Sequence, residues 1–285
     1  MLASFFGEIA LIPTFELFGK TFGIYPVLAL VGIFTAGIYA CRQARKKGLD
    51  ENDMIMVLLV SAVGVLLGGH LLYGLVNVLS APGSAPNLLA SDSPKAFFEN
   101  AYILFGGSVF YGGLLGGIFA GALYVRKKGF ALPEWADLLA PAIPLFHFFG
   151  RIGCFLGGCC YGVPCSFGFT YTHNLIEQAN GVSRFPIQLV EAAFNLALFF
   201  LLWTLQKKGK FQGKRLVLYL LCYSAGRFVF EFGRGDTYRG IWFGLSTSQY
   251  ISVGLFLVAV VFCFISGLQA GQHRSCRKAQ KRRFY

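Results

Sequence analysis

Apolar segments long enough to cross a bilayer alternate with short polar segments along the whole chain. One helix needs about 20 apolar residues to span the hydrocarbon of a membrane. We therefore predict an all-α integral membrane protein with about seven transmembrane helices. The predicted spans are residues 22–41, 53–79, 101–125, 136–157, 186–205, 216–234 and 247–268.

The composition supports this interpretation. The chain has 285 residues, of which 55% are hydrophobic and only 13% are charged, and its mean hydropathy is +0.60. A soluble domain of this length carries more charge on its surface. The composition therefore excludes an ordinary soluble domain.

The basic residues indicate how the chain is oriented. Most of the Lys and Arg residues fall in four clusters, which follow the first, third, fifth and seventh spans. Basic loops next to spans stay on the cytoplasmic side, beside anionic lipid. We expect an external N-terminus and a cytoplasmic C-terminus. The net charge of +12 is thereby assigned to contact with the lipid bilayer, and no nucleic-acid partner is expected.

The remaining segments complete a single polytopic membrane domain, residues 1–285. Residues 1–21 are expected to be an external lead-in without a secretory signal peptide, because no basic residue precedes Lys20. Residues 80–100 and 158–185 are predicted to be external loops, and 269–285 a basic cytoplasmic tail. Within the third span, Gly113, Gly117 and Gly121 predict a close contact with another helix.

Four charged residues lie within or at the ends of apolar spans. Arg151 stands in "FFGRIGCF", and the sixth span contains Arg227, Glu231 and Arg234. An arginine at mid-bilayer costs roughly 2.5–3.5 kcal/mol, so such residues are usually functional. Spacings of four and seven predict that the last three share one helix face. With Arg151 they predict a pocket for an anion such as a lipid phosphodiester.

The alternatives are simpler structural roles. Arg227 and Glu231 alone would form a neutral buried pair, and Arg151 would extend its guanidinium toward the membrane surface. Further polar groups stand near span ends and are candidates for the same pocket. They are Tyr25, Tyr111, Gln188 and Glu191.

Cysteines follow Arg151 in the spacing C-x4-C-C-x4-C, at Cys154, Cys159, Cys160 and Cys165. This spacing matches neither a zinc ribbon nor a ferredoxin. Burial as a small apolar side chain is the preferred interpretation for Cys154. A disulfide is an alternative for the others, and a metal site is the less favoured one.

Five stretches carry a family resemblance. They are "YPVLALVG", "GGSVFYGGLLGG", "ADLLAPAIPLFHFFGRIGCFLGG", "RFPIQLVEA" and "GRFVFEFGRGD". In order and spacing the chain resembles the prolipoprotein diacylglyceryl transferases, multi-pass enzymes of the bacterial cytoplasmic (inner) membrane. The resemblance implies a transferase that moves the diacylglyceryl group of phosphatidylglycerol to a lipobox cysteine in the signal peptide of a prolipoprotein. It implies no cofactor and no metal.

The resemblance also implies roles for single residues. Arg151, Arg234, Tyr25 and Gln188 would bind substrate. Tyr111, Arg227 and Glu231 would be catalytic.

The chain departs from the family pattern at several positions. The family signature has Asn, Asn and Glu where this chain has Cys154, Gly157 and Cys159. Tyr111 replaces a histidine that is the family's favoured base, and a phenol with a pKa near 10 is a poorer base at neutral pH. These departures leave two alternatives open: a paralogue acting on another acceptor, and a thiol-dependent sensor or transporter that binds an anion or lipid.

Overall fold

A computed structural model describes residues 14–80, 91–172, 174, 176–235 and 241–282. Within these residues, six helices are long and apolar enough to cross a membrane. The predicted class, an all-α membrane protein of about seven helices, is confirmed. The six candidate spans are Ile24–Lys46, Glu51–Leu79, Leu132–Leu156, Ile187–Lys207, Arg215–Gly233 and Thr247–Phe264.

The described part of the chain contains the following α-helices: α1 Ile24–Lys46, α2 Glu51–Ser80, α3 Pro94–Phe105, α4 Phe110–Lys127, α5 Leu132–Leu139, α6 Ala142–Leu156, α7 Ile187–Lys207, α8 Arg215–Phe230 and α9 Thr247–Arg282. Short antiparallel hairpins lie between them: β1 Thr14–Leu17 with β2 Lys20–Gly23, β3 Pro164–Thr170 with β4 Ser183–Arg184, and β5 Ile241–Trp242 with β6 Leu245–Ser246. The segments predicted as a lead-in and as the second loop therefore contain hairpins.

The predicted third span, 101–125, is wrong as one continuous helix. It is divided between α3 and α4, with a break at residues 106–109. His70 Nδ1 lies 2.8 Å from the carbonyl oxygens of both Phe105 and Gly107, and Asn77 donates to the carbonyl of Leu104. A break at membrane depth requires such partners for its backbone groups. Hydropathy registers neither the break nor the polar side chains from α2 that stabilise it.

The chain divides into two compact units, and the first of them is Ala40–Trp135. Here α2 packs closely on α4. A Cβ placed on Gly68 would lie 2.2 Å from the carbonyl oxygen of Gly112, and one on Gly64 would lie 2.4 Å from that of Gly116. The predicted close contact is confirmed, since Gly113 and its neighbours at four-residue spacing also face α2.

The other unit comprises Met1–Tyr39 and Ala136–Tyr285. Within it α6 packs on α7, and α8 packs on α7 and α9. Buried Asp137 accepts hydrogen bonds from the backbone N–H groups of Gly213 and Arg215 and pairs with the Arg215 guanidinium at 3.4 Å. This carboxylate therefore fixes the start of α8. Arg215 is the last residue of the basic cluster that follows the fifth predicted span, yet it is buried.

Helix α8, which corresponds to the sixth predicted span, 216–234, is shorter than that span. It ends at Phe230, a 3₁₀ turn covers Glu231–Gly233, and Arg234 is extended. The backbone is drawn out of the helix because Val163 donates to the Gly233 carbonyl at 3.0 Å. The prediction that Arg227, Glu231 and Arg234 share one helix face is therefore wrong for Arg234, whereas Arg227 and Glu231 do pair at four-residue spacing.

Large apolar side chains remain exposed along the helices, among them Leu59, Val63 and Leu66 of α2 and Leu257 and Val261 of α9. Helix backbones satisfy their own hydrogen bonds, so such faces are stable against lipid tails. Exposure of this kind supports membrane insertion.

Candidate functional site

The intramembrane charges meet around one glutamate on α7. Glu191 Oε2 lies 2.8 Å from Arg151 Nη2, and its Oε1 lies 3.9 Å from Arg234 Nη1. The side chains of Glu191 and Arg234 are only 4% and 5% exposed, and that of Arg151 is 18% exposed. Helix α6, helix α7 and the segment after α8 thus bring two guanidiniums to a single carboxylate. The predicted association of Arg151 with Arg234 is present in the structure.

The sequence named Glu191 as a candidate for this pocket, but it gave the residue no catalytic or substrate-binding role. Its signal was an acidic side chain in the apolar stretch "QLVEAAFNLAL", which is costly in a membrane without a partner.

Arg227 and Glu231 form a separate pair. Arg227 Nη1 lies 2.7 Å from Glu231 Oε2, and Arg227 Nη2 donates to Ser248 Oγ on α9 at 3.2 Å. This is the neutral pair that the sequence left open as an alternative. It ties the end of α8 to the first turn of α9, and a catalytic role for either residue stays a prediction.

The five charged side chains described above have a positive net charge. Arg227 and Glu231 balance each other, whereas Arg151 and Arg234 share Glu191, so these five groups together carry a net charge of +1. Electrostatic interactions are stronger in a buried environment than in water. Two guanidiniums that share one carboxylate in such an environment are chemically suited to bind an anion as well.

A tight turn follows α6 and carries the cysteines. Gly158 has φ +67°, and a Cβ there would lie 1.8 Å from Asn174 Nδ2. That amide donates to the Gly158 carbonyl at 2.6 Å, while the Cys159 N–H donates to the Cys154 carbonyl at 3.1 Å. Cys160 also lies in the left-handed region, with φ 56°. Such a conformation is strained for a residue with a side chain and persists only where its surroundings hold it.

The turn brings three thiols together. The sulfurs of Cys154, Cys159 and Cys160 all lie within 4.8 Å of one another. Hydrogen bonds from the other two thiols, and then the charges of Arg234 and Arg151, lower the pKa of the Cys160 thiol. The thiol cluster and the arginine cluster therefore share one electrostatic environment.

Gln188 holds this turn in place. Its buried Nε2 donates to the Cys159 carbonyl at 2.9 Å and to the Tyr171 hydroxyl at 3.1 Å. Burial raises the pKa of the Tyr171 phenol to about 12, so the hydroxyl remains protonated. The contacts of Gln188 are scaffolding contacts, and its role in substrate binding stays a prediction.

Of the two tyrosines predicted for the site, the structure describes the side chain of Tyr25 only. Tyr25, near the start of α1, packs on Gly153, where a Cβ would lie 3.2 Å from the ring. Its side chain is 46% exposed, so it lies beside the helix of Arg151 and remains open. Tyr111 is the second residue of α4, and its side chain lies outside the described residues.

Arg184 is a structural residue that the sequence did not single out for a role. Its guanidinium lies 4.2 Å from the centre of the Tyr161 ring and donates to the Gln178 and Ala179 carbonyls. Cation–π contacts of this kind add stability when they are desolvated. Arg184 thus holds the 158–185 segment together beside the thiol turn.

The family model "Prolipoprotein diacylglyceryl transferase" matches residues 13–265. The chain belongs to this family. The matched region includes both arginines that flank Glu191, the thiol turn and every helix from α1 to α8. The resemblance stated from the sequence is therefore confirmed.

Individual relatives can be aligned with this chain over nearly their full lengths. The chain is 35% identical to a phosphatidylglycerol–prolipoprotein diacylglyceryl transferase of Clostridium tetani, over 86% of this chain and 94% of the relative. It is 32% identical to the enzyme named transferase 2 of Clostridium perfringens, over 89% and 94%. A Bordetella avium enzyme of the same name is 30% identical, over 88% and 91%. The chain is thus a transferase-family member along almost its whole length.

Proposed function

We propose that this protein transfers the diacylglyceryl group of phosphatidylglycerol to the lipobox cysteine of prolipoproteins. The cysteine sulfur forms a thioether bond to the glyceryl carbon, and the bond from that carbon to the phosphate oxygen breaks. Glycerol phosphate leaves with the electron pair, and a base accepts the thiol proton. Family membership and the names of the relatives support this reaction.

The pairing of Arg151 and Arg234 across Glu191 is the observation that carries the proposal. One phosphodiester has a single negative charge, which matches the net charge of +1 in the cluster. Guanidiniums donate paired hydrogen bonds to phosphate oxygens. As the bond to carbon breaks, the leaving phosphate gains charge, and preorganised positive groups lower the barrier by stabilising it.

The remaining site residues take supporting roles in this proposal. Arg227 and Glu231 fix the segment that carries Arg234, and the arginine adds to the positive field at the leaving group. Tyr25, exposed beside Gly153, contacts the lipid headgroup. Gln188 acts on the substrate through the turn that it holds.

Tyr111 is the proposed base. The thiolate is the nucleophilic form of cysteine, so the lipobox thiol must lose its proton. A phenol with an ordinary pKa near 10 accepts a proton readily only when positive charge lowers that pKa.

The proposed orientation follows the basic clusters. The N-terminus lies outside and the C-terminus in the cytoplasm of a bacterium, and the chain is one polytopic domain of its inner membrane. The 80–100 and 158–185 segments then lie on the outer side, where the signal peptide of an exported protein arrives.

The direct test uses purified protein in detergent micelles containing phosphatidylglycerol, with a synthetic lipobox peptide. We expect glycerol phosphate release and a peptide mass gain of one diacylglyceryl group. A matched peptide with Ser in place of Cys should gain no mass, because a hydroxyl is a far weaker nucleophile than a thiolate. Phosphatidylglycerol binding without any transfer to the Cys peptide would contradict the proposal.

A further inference from the structure

We propose that Cys154, Cys159 and Cys160 form a binding site for a thiophilic metal ion, Zn²⁺. Their three sulfurs lie within 4.8 Å of one another. Zn–S bonds of about 2.3 Å in a tetrahedral site place sulfurs about 3.8 Å apart. Closing from 4.8 Å to that separation takes side-chain movements of about 1 Å or less, so the cluster needs little rearrangement to bind.

The backbone of the cluster is held from outside. Gln188 fixes the Cys159 carbonyl and Asn174 fixes the Gly158 carbonyl, each with an amide hydrogen bond below 3.0 Å. Cys160, the next residue along the chain, is kept at φ 56°. A strained residue held by its neighbours in a functional region is a sign of preorganisation. A preformed ligand set of this kind binds a metal with little ordering cost.

The chemistry of the donors selects the ion. Thiolates are soft ligands and favour Zn²⁺ or Cu⁺ over Mg²⁺ or Ca²⁺. Three protein ligands around Zn²⁺ leave the fourth tetrahedral position to water. A disulfide would use only two of these sulfurs and would need an oxidant, whereas a metal ion uses all three with no change of oxidation state.

Charge balance favours the bound form. Binding of Zn²⁺ displaces up to three thiol protons into the buffer and leaves a complex of three thiolates and one ion with a net charge of −1. The arginines and Glu191 carry +1, so the loaded site becomes electrically neutral.

This balance has a consequence that rests on the proposed function. A neutral cluster attracts a phosphodiester less than a cluster of charge +1, so Zn²⁺ should lower the use of phosphatidylglycerol. The site would then make the enzyme sensitive to free zinc. From the sequence, a metal site was the less favoured alternative for these cysteines, and the family resemblance implied no metal. The proximity of the three sulfurs changes that expectation.

The test is Zn²⁺ titration of the full-length protein in detergent, fully reduced so that all eight cysteines react as free thiols. We expect one Zn²⁺ per chain, proton release, and a thiolate-to-metal absorption band when Co²⁺ replaces Zn²⁺. Cys159→Ser should abolish all three signals, while Cys222→Ser, outside the cluster on α8, should retain them. No binding by the reduced wild type, or unchanged binding by Cys159→Ser, would overturn the proposal.

Alkylation mapping covers the case in which Cys159→Ser does not fold. In the wild type, Zn²⁺ should protect Cys154, Cys159 and Cys160 from iodoacetamide and leave the extent of labelling at Cys222 unchanged, as mass spectrometry would show. Protection of other cysteines instead would also overturn it. Neither readout depends on transfer, so failure of the metal site and failure of the proposed reaction remain distinguishable.

Discussion

The Glu191 carboxylate lies 2.8 Å from the Arg151 guanidinium, in an environment where both side chains are largely buried. Glu191 is on α7 and Arg151 is on α6, so the contact joins two helices that also pack together. The same carboxylate faces Arg234 at 3.9 Å. One glutamate therefore sets the position of both arginines that are proposed to hold the lipid phosphate.

Glu191→Gln should destabilise the protein. The substitution leaves two buried guanidiniums without their carboxylate, and breaking a buried pair costs about 3–5 kcal/mol. Thermal unfolding in detergent would measure the loss. Added phosphatidylglycerol should recover part of it, because the phosphodiester replaces the missing negative charge.

A matched control exists on α3. Glu99→Gln also removes a carboxylate, but its pair with Lys95 is exposed, so the change should stay within about 0.5 kcal/mol. Equal unfolding temperatures for the two variants would show that Glu191 has no special role.

The pair of Arg227 and Glu231 can be tested with a double-mutant cycle. Arg227→Gln and Glu231→Gln should each lower stability, since each strands a largely buried charge, by about 3 kcal/mol. The double variant should recover most of the stability, because both charges are gone. Transfer activity should stay low in Arg227→Gln and in the double variant, which both lack the arginine, if Arg227 contributes to the positive field. Recovery of activity in the double variant would mean that the pair is only structural.

The contact of α2 with α4 should not tolerate a methyl group. Gly68→Ala would place a Cβ 2.2 Å from the Gly112 carbonyl oxygen, which is too close. The helices must therefore separate, which should lower the free energy of unfolding by about 1–3 kcal/mol. Gly254→Ala on α9 is the control, since nothing lies within 4 Å there. It should be neutral or stabilising by up to about 1 kcal/mol. Similar losses in both variants, measured by thermal unfolding, would contradict the packing described.

The proposed base can be tested through pH. Tyr111→Phe should abolish transfer, because it removes the group that accepts the proton. Tyr111→His should retain transfer and move the rising limb of the rate–pH profile down toward pH 6.5, since a base acts in its deprotonated form and histidine titrates lower than tyrosine. A Tyr111→Phe variant with an unchanged profile would remove Tyr111 from the mechanism.

Much of the architecture followed from hydropathy. Long apolar segments predict membrane helices well because the bilayer demands both length and apolarity. The break between α3 and α4 was missed because it depends on His70 and Asn77, which belong to another helix. Local pattern contains no information about such tertiary partners.

The sequence predicted which charged residues belong to the site, but it did not predict how they are arranged in space. Charged residues in apolar segments identified Arg151, Arg227, Glu231 and Arg234. Helical spacing grouped the last three, but the backbone bond from Val163 to Gly233 draws Arg234 out of the helix. The role of Glu191 depends on how three elements meet, and the proximity of the three thiols depends on a turn with two residues at positive φ.

The most direct test of the account compares phosphatidylglycerol binding and transfer in Arg151→Ala with Arg126→Ala, an exposed arginine at the end of α4. Both variants lose one positive charge, so nonspecific attraction to anionic micelles falls equally. We predict that Arg151→Ala loses transfer and weakens phosphatidylglycerol binding, while Arg126→Ala behaves as the wild type does. Full transfer by a folded Arg151→Ala protein would contradict the claim that the arginines around Glu191 hold the lipid phosphate.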